Sequence, residues 1–239
     1  MTSAFIFAAI SLAMFTSLII LWRRGRTAAR AEFIRSYMFP RGLLDKFGLE
    51  RPELSLKERQ LVAHALRQFF LAHLKSGRQF VSMPSQVADD LWHEFILYTR
   101  HYDKFCSKAF GRFMHHTPAV VLGADRQNNT GLRRTWWYCC LEENINPKKA
   151  TRLPLLFSLD KKLNIANGFS YMLDCHGVKR ASAQDNSGTV YCGGDISGSS
   201  FDGSTDGFGD SSSIFGDPAA DSGWGDSSGF GGGCGGGGD

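Results

Sequence analysis

The chain has 239 residues, with 27 Lys and Arg against 23 Asp and Glu for a net charge of +4. That length holds one folded domain of ordinary size, and six cysteines without regular spacing or a C-x-x-C pair exclude a disulfide-stapled scaffold. The charge is divided: residues 1–184 hold all 27 basic and 14 acidic side chains, a net of +13, and the rest holds nine Asp and no Lys or Arg.

In chain order, residues 3–22 contain no charge. About 20 apolar residues rising about 1.5 Å each cross a hydrocarbon layer of about 30 Å, which predicts a transmembrane helix contacting the lipid bilayer. Arg23, Arg24 and Arg26 follow at once, with Trp22 at the interface. The positive-inside rule then puts the N-terminus outside and everything after Trp22 in the cytoplasm, as a single-pass protein. A cleaved secretory signal needs a basic leader, a shorter apolar stretch and a small-residue cleavage site, and the segment has arginines where cleavage belongs. Arg30, Arg35, Arg41 and Lys46 extend a positive collar suited to anionic lipid headgroups. Their scatter, without a stacking platform, argues against nucleic acid. The cysteines (106, 139, 140, 175, 192 and 234) read as reduced thiols in a reducing compartment. The organisation is an anchor and collar over 1–26, a helical body over 27–176 and an acidic tail over 177–239.

Residues 27–39 read as a short helix stopped by Pro40, followed by a turn-rich segment through Pro52. Ser55 and Glu58 form a capping box that opens a helix ending at Gly77. Its polar side holds His64; His73 falls on its apolar stripe and reads as a hydrogen-bonded core histidine. Pro84 and Ser85 start a second long helix. Leu91, Phe95, Tyr98, Tyr102, Phe105 and Ala109 recur at helical spacing, so one buried face continues to a stop at Gly111. A third helix spans about 130–144, with Trp136 and Trp137 read as core. Shorter helical pieces fall near 118–123, 155–163 and 168–174. The expected fold is mainly α: an N-terminal transmembrane helix, a small helical bundle and a disordered Gly/Ser/Asp-rich tail.

Chemistry concentrates in residues 83–118. Counted at about 100° per residue, Asp89 and His93 lie one turn apart and away from the buried stripe. The carboxylate can steady the imidazole, or both can ligate a metal. Asp90, Glu94 and His101 form a separate flank, whose two carboxylates repel unless a cation lies between them. On one continuous helix His93 and Cys106 are about 19 Å apart and cannot share an ion. Cys106 could instead meet His115 or His116 if the chain folds back after Gly111, a donor set that favours Zn²⁺ over Mg²⁺ or Ca²⁺. The plain alternative stays open: a capped Asp89–His93 surface pair, a small core Cys106 and loop histidines bonded to carbonyls. A metal-free Cys/His pair is a third reading.

The order Val87, Asp89, Trp92-His93, Tyr102 and Cys106 resembles the D-x-x-W-H … Y-x-x-x-C core of the glycine-rich domain-containing protein-like family. Its bacterial members look like Pro-Ser … Trp-His-Glu-Phe-Ile-Leu … Phe-Cys … His-His-Thr-Pro, as here from Pro84 to Pro118. Plant members carry a second histidine where this chain has Phe95, so a W-H-x-H pair is absent. The resemblance implies a bacterial protein, hence an inner (cytoplasmic) membrane, and points at Asp89, Trp92, His93, Tyr102 and Cys106. It implies no particular reaction.

The tail cannot bury enough apolar surface to offset its ordering entropy and is expected to be disordered. Phe208, Phe215 and Trp224 each precede Gly-Asp and read as aromatic docking points on a flexible acidic string. Cys234 stands among glycines, sterically open. Two functions follow. One is a non-enzymatic, membrane-tethered interaction or scaffold module whose tail docks on its own basic body or on a protein partner. The other is a Zn- or Fe-dependent enzyme or metal sensor.

Overall fold

The computed structural model describes residues 2–116, 130–173 and 190–192. Among them are seven helices and one short strand pair, so the protein is mainly helical. The tail positions Phe208, Phe215, Trp224 and Cys234, and the helical piece expected at 118–123, lie outside the described residues.

Helix α1 runs unbroken from Thr2 to Ser36. Its first half exposes Phe5, Ile6, Phe7, Leu12, Phe15, Leu18, Leu21 and Trp22, whereas Ala31 and Ile34 are buried in the body. No second helix begins at residue 27. No proline interrupts the run, and the space around Gly25 is open. With a mean hydropathy of 2.3 over its apolar window, α1 is long and apolar enough to cross a membrane.

Helix α2 (Leu43–Glu50) occupies the segment expected to be only turns. It starts after Gly42, whose φ of +83° suits glycine, and buries Leu43 and Phe47. Helix α3 (Leu56–Lys75) opens with the capping box: Ser55 N–H donates to Glu58 Oε2 at 2.7 Å, and Glu58 N–H to Ser55 Oγ at 3.4 Å. From Val62 to Leu74 it is buried on nearly all sides, because α1, α2, α4, α6 and α7 surround it. His64 stays exposed and His73 is buried, as the apolar stripe predicts.

The next helical stretch is divided. Helix α4 (Gln86–Leu97) ends at Tyr98, where φ −79° and ψ +55° leave helical geometry, and α5 (Thr99–Ala109) begins anew. The apolar spacing runs through Tyr98 unchanged, so periodicity alone misses the bend. An aromatic cluster holds the corner. Phe70 lies 4.8 Å from Phe105, Tyr37 lies 4.7 Å from Phe105, and Phe39 packs edge-on against Phe95 at 5.1 Å. Each buried Phe contributes about 2 kcal/mol, enough to override an unfavourable joint.

Helices α6 (Thr130–Glu142) and α7 (Leu155–Lys162) fall where predicted. Trp136 is buried and donates its indole N–H to the Pro147 carbonyl at 3.0 Å. The expected helix at 168–174 is instead strand β1 (Ser170–Met172), paired in parallel with β2 (Val190–Cys192) with Tyr171 opposite Tyr191. Three-residue strands are too short to show an alternating pattern. Cys106, Cys139 and Cys140 are free and buried.

Candidate metal-binding site

The site begins with what holds α4 in place. Ser85 caps the helix, accepting from Ala88 N–H at 3.2 Å. Its hydroxyl also donates at 2.6 Å to Asp160 of α7. Asp160 is buried and further accepts from the N–H groups of Gln86 (2.7 Å), Val87 (3.3 Å) and Phe169 (2.9 Å). A carboxylate at this helix start neutralises orphan donors and favours the helix dipole. Sequence reasoning missed Asp160, because 75 residues separate it from Ser85. The orphan first-turn N–H groups that any helix start leaves were the one available hint that a distant acceptor was needed.

With α4 fixed, one face meets the segment after α5. Gly111, at φ +77°, reverses the chain. Tyr102 then pins the returning segment: its hydroxyl donates to the Met114 carbonyl at 2.6 Å and accepts the Trp92 indole N–H at 3.2 Å. This lays His116 against Trp92, with ring centroids 4.5 Å apart. His116 Nε2 lies 2.9 Å from Asp89 Oδ1, and His93 Nδ1 lies 3.9 Å from Asp89 Oδ2. The two imidazoles stand 4.2 Å apart. One donor atom from each of Asp89, His93 and His116 lies within 4.8 Å of the others.

Asp89 is buried rather than turned to solvent, since His116 covers it; His93 is half-exposed. Zinc bonds of about 2.1 Å in tetrahedral geometry separate donors by about 3.4 Å. The Asp89–His116 pair is already closer than that, and the exposed His93 ring has freedom to close its gap. Asp89 lies against two imidazoles and no Lys or Arg among the described residues.

The other expected ligands lie elsewhere. Cys106 is fully buried beside Tyr102 and the Met114 backbone, and burial pushes its thiol up, away from the thiolate a metal needs. His115 is exposed and packs against Phe113 at 5.0 Å. Cys106 therefore does not meet either histidine as a ligand pair. On the second flank, Asp90 accepts from Arg51 Nε at 3.1 Å and from Gln86 at 3.0 Å. Glu94 faces Lys46 Nζ at 2.7 Å, and its hydrogen bond to Glu50 pushes the Glu50 carboxyl up. His101 is exposed beside Tyr98. The cation required between those carboxylates comes from Arg51 and Lys46, side chains of the protein itself.

Trp92 also borders a cleft of ≈ 510 Å³ with His73, Arg78, Phe80 and Arg112. His73 Nδ1 donates to the Gln79 carbonyl at 3.0 Å. Burial lowers its pKa to about 4, with Arg112 and Arg78 pushing the same way, so the ring is neutral at physiological pH.

These features define a helical bundle with an apolar N-terminal helix and a buried carboxylate flanked by two imidazoles. The chain belongs to the UCP032817-like family, an uncharacterised group whose sequence model matches residues 29–196. That match begins after the apolar stretch of α1 and includes every residue of the site. No curated protein and no solved structure matches the chain significantly.

Proposed function

We propose that the protein is a membrane-anchored helical module that binds a divalent transition metal, Zn²⁺ or Fe²⁺, through Asp89, His93 and His116. The observation that carries this reading is the convergence of three donor atoms, contributed by α4 and the pinned segment after α5, within 4.8 Å. Two imidazoles and one carboxylate suit both Zn²⁺ and Fe²⁺. Three protein ligands leave coordination positions open, which an enzyme uses for substrate and a sensor for an exchangeable ligand.

The exposed apolar half of α1 supports anchoring, and Arg23, Arg24 and Arg26 support a cytoplasmic body on a bacterial inner membrane. Kinship with the glycine-rich domain-containing protein-like family is supported by the order Val87, Asp89, Trp92-His93, Tyr102 and Cys106 in the sequence. Metal analysis of the full chain in neutral detergent tests the function. About one Zn or Fe per chain is expected, reduced in Asp89→Asn, His93→Ala and His116→Ala and retained in Cys106→Ser and His115→Ala. A folded chain that takes up no metal would overturn it.

A second role rests on the charge division. Nine tail Asp with interspersed Phe208, Phe215 and Trp224 suit an Arg-rich surface of a protein partner. Truncation after residue 196 should abolish partner capture from membranes; unchanged capture sinks this role.

A further inference from the structure

Three guanidinium groups from separate parts of the fold meet at the turn that ends α5. Arg30 Nη1, from α1, and Arg78 Nη1, from the loop after α3, both donate to the carbonyl of Phe110, at 3.2 and 2.9 Å. Arg112 donates to the carbonyl of Arg78. Gly111 lies beneath them, where an added Cβ would come within 2.7 Å of Arg30 Nη2. Arg78 holds φ at +66°, a conformation costly for a residue with a side chain.

Among the described residues, none of the three has a carboxylate at ion-pair distance. Arg35, Arg51, Lys75 and Arg152 each have one. A guanidinium carries five N–H donors, so three hydrogen bonds to two carbonyls leave most of the donors here for another acceptor. Arg78 and Arg112 also form the polar side of the ≈ 510 Å³ cleft, whose other walls include Phe80, Met83 and Phe113. Clustered cations beside an apolar wall match a ligand that is anionic at one end and apolar at the other.

Position along α1 selects among such ligands. Arg30 follows Trp22 by eight residues on one continuous helix, about 12 Å along its axis. Between them, the Arg26 guanidinium sits 4.6 Å from the Trp22 ring. A tryptophan belt marks the membrane interface, so the arginines lie within reach of headgroups. Arginine forks match the several oxygens of a phosphate better than the single carboxylates of the chain's Asp-rich tail.

We propose that Arg30, Arg78 and Arg112 form a binding site for the phosphate group of an anionic lipid headgroup, with the glycerol and upper acyl chain against Phe80 and Phe113. This inference rests on the membrane-anchored reading but not on the metal. Native mass spectrometry of the full chain in neutral detergent, with added phosphatidylglycerol or phosphatidylcholine, tests it. Preferential retention of phosphatidylglycerol is expected. Arg78→Gln/Arg112→Gln should weaken retention by roughly tenfold or more, from the loss of charge-assisted hydrogen bonds. Arg78→Lys/Arg112→Lys should keep part of it, Arg23→Gln/Arg24→Gln in the collar should weaken it by clearly less than the cleft pair, and Lys148→Gln/Lys149→Gln, exposed and outside both, should leave it unchanged. Should the double Gln variant lose its helical circular dichroism, Arg112→Gln alone carries the test, because among the described residues Arg112 donates only to the Arg78 carbonyl. Equal loss in Arg23→Gln/Arg24→Gln would show a diffuse collar and overturn the site. Displacement by inorganic phosphate at the lipid's own concentration would overturn the lipid as source. Tighter lipid retention after truncation at residue 196 would make the chain's own tail the occupant.

Discussion

The two faces of α4 carry carboxylates one residue apart in sequence, and they have opposite fates. Asp90 and Glu94 face α2 and the loop after it, where Arg51 and Lys46 meet them. Asp89 faces the returning segment, where His116 and, from α4 itself, His93 are its neighbours. The difference teaches that spacing on a helix does not make a ligand. A carboxylate is open to a metal only when no Lys or Arg occupies its oxygens, and only a second element of the fold decides that.

Four experiments probe this contrast. The largest effect should come from removing the support common to both faces. Asp160→Ala orphans the Ser85 hydroxyl and three backbone N–H groups, and should destabilise the fold by about 3–5 kcal/mol in chemical denaturation. A smaller loss would mean that α4 is held mainly by its aromatic contacts.

His73 offers an imidazole without a carboxylate. Its folded pKa of about 4 lies below the ordinary value of 6.5, so the unfolded chain binds the extra proton between those limits. Stability should therefore be intact above about pH 6.5 and fall by up to about 3 kcal/mol as pH drops toward 4. His73→Gln should remove that component of the denaturation profile; an unchanged slope would show that the ring is not held neutral.

The contrast itself is sharpest in metal affinity. Asp89→Asn should weaken Zn²⁺ binding by about a hundredfold in competition with a chromogenic chelator, and Asp90→Asn should not change it. Equal effects would erase the distinction between the faces. The smallest effect should be on stability: Asp90→Asn loses a half-exposed ion pair with Arg51 and should cost about 1 kcal/mol or less.

Much of the architecture was legible because local signals agreed with the final packing. Ser55 and Glu58 announced α3, and the apolar stripe ending in His73 predicted its burial. Tyr98 broke the reading of α4 and α5, since its backbone bend preserves the side-chain periodicity on which the prediction rested. Helical angles placed Asp89 away from the buried stripe, and the segment carrying His116 then packs over it and buries it. Of the histidine pair at 115–116, only His116 meets Trp92 and His93 while His115 packs against Phe113, a choice invisible until the path of the chain after Gly111 is known. Cys106 was expected to meet one of those histidines if the chain folds back after Gly111. Its actual surroundings, Tyr102 and the Met114 backbone, keep it a protonated thiol in the core.

Helix α1 has no joint between the half that faces outward and the half that packs on α3 and α5. With the first half threaded through a bilayer, the second half becomes a mast stepped directly into the bundle. Any change in tilt forced by a thicker or thinner membrane must then swing the whole body, carrying its histidines through the same angle.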